Sequence, residues 1–131
     1  MNKMRNLTGI LGLGISGLAA FELLRKQNKN VVVFDDILKP NLKLKEYWKN
    51  YVSWDWNKLS RIIISPGIKI SGKKRHPIVK LAENHNVKLQ NEIELYFEQK
   101  PKSIIIGITG TNGKSTLASL ISHILSENKI K

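Results

Sequence analysis

Twice in 131 residues a short apolar run passes straight into a glycine-rich loop and then into a helix-like segment. The first loop is GLGISG at residues 12–17, the second GITGTNGKST at residues 107–116. A strand that empties through glycines into a helix start leaves unpaired N–H groups aimed at one spot. The helix dipole adds to their field, and such a spot suits a phosphate. The same order constrains the fold, because strand, loop and helix in succession build a parallel sheet with helices on its faces.

The rest of the chain keeps that alternation. Residues 8–13 read as a strand and residues 16–26 as an amphipathic helix. VVVFD at 31–35 and RIIIS at 61–65 read as buried strands, the second stopped by Pro66 and Gly67. Pro77 suits the first position of a helix running to His85. Residues 87–90 then form a weaker strand and residues 91–99 a helix. SIIIGIT at 103–109 reads as the strongest strand, followed by a helix over 115–127 with Leu117, Leu120, Ile121, Ile124 and Leu125 as its apolar positions. Runs that are apolar on both faces argue for parallel strands covered on both sides. The expected fold class is therefore α/β. Residues 1–100 form a Rossmann-like, mostly parallel sheet with flanking helices, and residues 101–131 supply the first strand and helix of a phosphate-loop domain, with the boundary near Pro101. Residues 40–60 read only as a connection containing a short helix, its Trp48, Trp54 and Trp56 covering the sheet edge.

Charge raises the question of nucleic acid. Lys and Arg number 22 against 10 Asp and Glu, a formal net charge of +12. The lysines are spread along the whole chain, and the densest cluster, residues 69–77, has no aromatic side chain interleaved, so no nucleic-acid partner is expected. The basic start and the apolar residues after it resemble a secretory leader, but four glycines and two hydroxyl residues interrupt that run. No membrane span is expected either, since the clean apolar stretch falls short of the ~20 residues a bilayer needs. With no cysteine in the chain, disulfides, thiolate metal sites and a cysteine nucleophile are excluded, which fits a reducing compartment.

In the first loop, Gly12, Gly14 and Gly17 form a G-x-G-x-x-G pattern. They would supply a tight turn, room for a ligand to approach the backbone, and close packing of helix on strand. Asp35 closes the second strand about 20 residues on, where dinucleotide folds place a carboxylate that accepts from a ribose or base. The glycines do not say whether the ligand is NAD or a UDP-sugar. In the second loop, Gly110 and Gly113 would wrap phosphates with backbone N–H groups. Lys114 would neutralise the β and γ oxygens, and the Ser115 hydroxyl would ligate Mg²⁺. The strict pattern asks for glycine where Ile108 stands, so the loop is a variant. Two phosphate loops imply two ligands, one of them ATP or GTP.

The segments GLGISGLAA, VVVFDD, IIISPGI, HPIVKLAENHNV, NEIELYF and GITGTNGKST, in this order and spacing, resemble the opening of a Mur ligase, most closely the type that adds D-glutamate. The resemblance covers essentially the whole chain. It implies a cytoplasmic enzyme of peptidoglycan precursor synthesis, and so of cell wall biogenesis, cell shape and division. Its N-terminal domain would hold UDP-N-acetylmuramoyl-L-alanine and its central domain ATP and Mg²⁺. The L-alanine carboxylate would attack the γ-phosphate to give an acyl phosphate, from which the amine of D-glutamate displaces phosphate. By resemblance the UDP part is approached by Gly12, Gly14, Ile15, Ser16 and Gly17, the uracil by Asp35, and the nucleotide again by Ser65, Pro66 and Gly67. Gly110, Thr111, Asn112, Gly113, Lys114, Ser115 and Thr116 hold ATP, with Ser115 on the metal and Lys114 stabilising the transferring phosphoryl group. Relatives often carry a basic residue two positions after the Asp35 equivalent. Here that position is Ile37, and Lys39 is the nearest cation. The further Mg²⁺ ligand, a histidine, a modified lysine and the D-glutamate-binding domain come later in the family, so these residues alone are expected not to catalyse ligation.

Other residue types point nowhere in particular. His76, His85 and His123 lie on separate segments without ligand spacing and read as surface or helix-face residues. Glu92, Glu94 and Glu98 read as a solvated helix face. Two rival readings remain at this point. An NAD-binding domain of an oxidoreductase or regulator would use Gly12, Gly14, Gly17 and Asp35 but leave the second loop unexplained, whereas a short protein could bind the UDP precursor without processing it.

Overall fold

The computed structural model describes residues 5–100, 102 and 104–130. In chain order these form β1 (Leu7–Leu11), α1 (Ile15–Lys26), β2 (Asn30–Phe34), β3 (Leu59–Ile64), α2 (Ile78–Asn84), β4 (Lys88–Gln90), α3 (Glu92–Glu98) and α4 (Lys114–Glu127), with a 3-10 turn at Tyr51–Ser53. The chain divides into two compact units, Met1–Pro101 and Lys102–Lys131.

In the first unit all four strands run parallel, in the order β2-β1-β3-β4. The chain leaves β1, adds β2 on one side and then returns to add β3 on the other. That reversal opens a crevice beyond the carboxyl ends of β1 and β3, where open α/β sheets place their ligands. Register makes the crevice level: Leu11 pairs with Phe34 on one side and with Ile64 on the other. The loops after the three strands therefore start from one row.

Both faces of the sheet are covered, which is why the strands lack a polar side. Ile10, Val31, Val33 and Ile63 pack with Phe21 and Leu24 of α1 and Leu95 of α3. On the opposite face Leu11, Val32, Ile62 and Ile64 pack with Ile78, Val79 and Ala82 of α2. α3 begins with a full capping box, in which the Asn91 side chain accepts from the Glu94 N–H and the Glu94 carboxylate accepts from the Asn91 N–H.

The tryptophans do not share the edge position expected of them. Trp48 does lie at the edge, where it bridges to Val33 and packs on Phe34. Trp54 and Trp56 are buried in the core on the α2 face. Trp54 sits over the backbone of Gly9 in the inner strand β1, where a Cβ would stand 2.4 Å from its ring. The indole N–H groups of Trp54 and Trp56 donate to the Lys49 and Tyr51 carbonyls, so burying them strands no donor. The glutamates also do more than face solvent. Glu98 pairs with Arg61 of β3 and accepts from the Gln90 amide, fastening α3 to the sheet.

The second unit departs further from expectation. Pro101 and Ser103, at the expected boundary and strand start, lie outside the described residues. Residues 104–109 form no strand: their backbone joins no ladder among the described residues. A strand gains its hydrogen bonds only from neighbours, so an apolar run without a partner stays irregular. Ile104, Ile106 and Ile108 instead line an open groove with Ala118, Ile121 and Leu125 of α4. No residue of that helix is buried.

Candidate functional site

Beyond the strand ends of the first unit lies an open cavity of about 470 Å³. It is lined by Gly12, Gly14, Ile15 and Ser16 after β1, by residues 35–38 after β2, and by Ser65, Pro66, Gly67 and Ile68 after β3. Eight of the nine residues expected near the UDP part thus share one wall system. Gly17 is the ninth and does not line this cavity. A Cβ there would fall 1.9 Å from the Gly12 carbonyl oxygen, so its part is to let α1 sit directly on the turn. Gly12 has a left-handed backbone, φ +87, and a side chain on it would strike Ser65, whose hydroxyl donates to the Gly12 carbonyl at 2.8 Å. Gly14, the N-cap of α1, has open space where its Cβ would be. The three glycines thus turn, expose and pack, as the spacing suggested.

Asp35 ties the crevice together. Its carboxylate accepts from the Leu13 N–H at 2.6 Å on one oxygen and from the Ile37 and Leu38 N–H groups at 2.8 and 2.7 Å on the other. Burial pushes its pKa up, but the bonds from Leu38, Leu13 and Ile37 outweigh that and hold the carboxyl below its ordinary value. A carboxylate has about four acceptor positions, so three backbone donors leave room for about one more. Asp35 thus joins the loop after β1 to the loop after β2 and can still accept from a ligand.

Sequence reasoning missed four lining residues: Asp36, Ile37, Leu38 and Ile68. Ile37 had been noticed only as the place where a cation was wanting, and Lys39 does not line the cavity. The signal for all four was adjacency to Asp35 or Gly67 at a strand end. Ile15 and Ile37 are 93% and 90% exposed, so the cavity presents apolar side chains at its mouth. Of the histidines, His123 is exposed on α4 as expected, whereas His76 and His85 are partly buried and packed. His85 stacks on Trp56 at 5.2 Å between centroids, and His76 contacts Asp36. Among the described residues no group of three or more His, Asp or Glu could hold a metal, and no helix is long and apolar enough to cross a membrane.

The second loop is one contiguous turn and helix start. Gly113, at φ +76, caps α4, and Gly110 lies at φ +157. Lys114 folds back, its ammonium donating to the Gly110 carbonyl at 2.6 Å and more weakly to that of Thr111 at 3.4 Å. Ser115 and Thr116 bring hydroxyls to the first turn, which carries no acidic side chain to repel an anion. These residues fit a nucleotide phosphate with its magnesium: left-handed glycine, free helix-start N–H groups, a cation and hydroxyls occupy one loop.

A parallel α/β unit with a glycine-turn crevice at its strand ends, followed by a second glycine-rich loop and helix start, is the class that this geometry defines. No protein-family model matches the chain. Curated relatives do. The UDP-N-acetylmuramoylalanine–D-glutamate ligase of Rickettsia bellii is 38% identical over 98% of this chain, and that of a Wolbachia from Brugia malayi is 39% identical over 95%. The Protochlamydia amoebophila enzyme of the same name is 36% identical over 93%. The chain spans about a quarter of the length of these relatives, 26 to 29%. By sequence the chain belongs with the N-terminal part of the Mur ligases, and within them with the D-glutamate ligases.

Proposed function

We propose that residues 1–100 are the UDP-precursor-binding domain, and residues 101–131 the beginning of the ATP-binding domain, of a ligase that joins D-glutamate to UDP-N-acetylmuramoyl-L-alanine. The reaction is an ATP-driven amide formation of cytoplasmic peptidoglycan precursor synthesis that passes through an acyl phosphate. The observation that carries this reading is the single cavity formed by Gly12, Gly14, Ile15, Ser16, Asp35, Ser65, Pro66 and Gly67, in a chain similar to ligases of that name.

In this reading the backbone N–H groups opening α1 take the diphosphate, with no side chain at Gly14 to hold it off. The remaining acceptor position of Asp35 takes a polar edge of the uracil, while Ile15, Ile37 and Leu38 exclude water from its faces. In the second unit Gly110, Thr111, Asn112 and Gly113 curve around the phosphates of ATP. Lys114 would neutralise phosphate oxygens in place of its carbonyl partners, Ser115 would hold Mg²⁺, and Thr116 would help hold ATP. Bound Mg²⁺ and ATP supply the transferable phosphoryl group and the charge that stabilises its transfer. One loop and one helix cannot enclose that chemistry, so the 131-residue chain should bind its precursor without turning it over.

Titration calorimetry separates this from the dinucleotide alternative. Saturable heat with UDP-N-acetylmuramoyl-L-alanine and no response to NADH supports the ligase reading. The reverse pattern would overturn it, as would ligation by the isolated chain overturn the claim of inactivity.

A further inference from the structure

His76 stands outside the cavity yet touches both of its rims. Its Nε2 lies 3.0 Å from Asp36 Oδ2, on the loop after β2, and its backbone N–H donates to the Lys69 carbonyl at 2.7 Å, directly beyond the 65–68 loop after β3. Its tautomer follows from a third bond. The Ile78 N–H points at Nδ1 at 3.1 Å, and a backbone N–H can only donate, so Nδ1 is the acceptor and the neutral ring carries its proton on Nε2, toward Asp36. The ring is held edge-on against Tyr51, centroids 5.1 Å apart, and Tyr51 is itself held edge-on to Phe34 at the end of β2. The side chain is 15% exposed, against 46% for Asp36. One partly buried residue therefore joins the loops that carry the two outer walls of the crevice, and its donor direction is set by the start of α2.

We infer that His76 is a positioning residue for the nucleotide cleft. Through Asp36 it fixes residues 36–38 relative to residues 65–68, and so sets the width available to a nucleoside diphosphate. Unlike Asp35, it need not touch the ligand. The inference rests on the nucleotide reading of the cavity for its consequence, though not for its geometry.

Two substitutions separate clamping from simple helix capping, because the amide groups of Asn and Gln reproduce different ring nitrogens. His76→Asn keeps an acceptor near Nδ1 for the Ile78 N–H but cannot reach Asp36, whereas His76→Gln can place a donor near Nε2. UDP affinity, thermal midpoint and hydrogen exchange of the Ile37 and Leu38 amides are measured on the whole chain. A clamp predicts that His76→Asn keeps its midpoint, loses about 5- to 10-fold in UDP affinity, the scale of one ordinary hydrogen bond at a half-exposed site, and exchanges faster at Ile37 and Leu38. His76→Gln should stay within about twofold of the parent in affinity, since its bond to Asp36 survives. Parental affinity and exchange in His76→Asn, with a loss of stability confined to His76→Gln, would show a helix cap and overturn the inference. If the parent chain does not bind UDP, the nucleotide reading fails separately, and unchanged exchange in His76→Asn would then overturn the clamp by itself.

Discussion

Residues 12–17 and residues 110–116 are written in nearly the same terms, glycines after an apolar run and before a helix, yet they stand in different physical circumstances. At the first loop the run is a strand paired on both sides, Gly12 and Gly17 meet neighbouring backbone and side chains, and Asp35 and Ser65 bond across the turn. At the second, among the described residues, the run joins no ladder, Gly113 faces open space, and Lys114 bonds to its own loop. A phosphate loop is thus a local property of the chain, whereas a cleft is a property of the sheet behind it. The first loop should be sensitive to packing and the second to ligand.

Gly17→Ala should break the comparison most severely. Its Cβ would stand 1.9 Å from a backbone oxygen, which cannot rotate away, so a loss of about 3 kcal/mol or more is expected in urea unfolding of the first unit. Gly113→Ala meets only its unfavourable φ, worth about 1–2 kcal/mol, and should lower the helicity of α4 without moving the first unit's transition. Equal losses at the two positions would dissolve the distinction.

Asp35→Asn should cost about 1–2 kcal/mol at neutral pH, because three backbone donors lose a charged acceptor. The folded carboxyl titrates below its ordinary value near 3.8, so its stabilisation is complete above that value and lost as pH falls through the folded value. Urea midpoints measured from pH 6 downward should accordingly fall less steeply below pH ~4 in Asp35→Asn than in the parent. An acid limb of unchanged slope would mean that Asp35 does not couple the two loops.

Lys114→Ala should be the mildest change in the free protein. Among the described residues its ammonium bonds to exposed loop carbonyls, so the first unit's stability should move by less than about 0.5 kcal/mol. Its effect should appear only when ATP is titrated. A large loss of stability without ligand would show that the second loop is packed like the first.

Sequence made the glycine roles legible because each follows from backbone chemistry at fixed spacing: Gly12 turns, Gly14 clears space and Gly17 packs. The parallel sheet was legible from Val31, Val32 and Val33 and from Ile62, Ile63 and Ile64, apolar on both faces. Long-range packing was hidden. Nothing local to Trp54 says that it lies over Gly9, since that pairing depends on how residues 40–60 cross the sheet. His76 looked like a surface residue because its partner Asp36 is 40 positions away. Residues 104–109 misled in the opposite way: their composition favours a strand, but a strand also needs neighbours to bond with.

The most direct test of the cleft is to titrate UDP-N-acetylmuramoyl-L-alanine into the isotope-labelled chain and follow backbone amides by NMR. Occupancy of the crevice beyond β1, β2 and β3 predicts saturable shifts at Gly14, Ile15, Ser16, Ile37, Leu38 and Gly67, with residues 110–116 unmoved until ATP and Mg²⁺ are added. Shifts that never saturate, or that saturate with NADH instead, would contradict the assignment of this crevice to the UDP precursor.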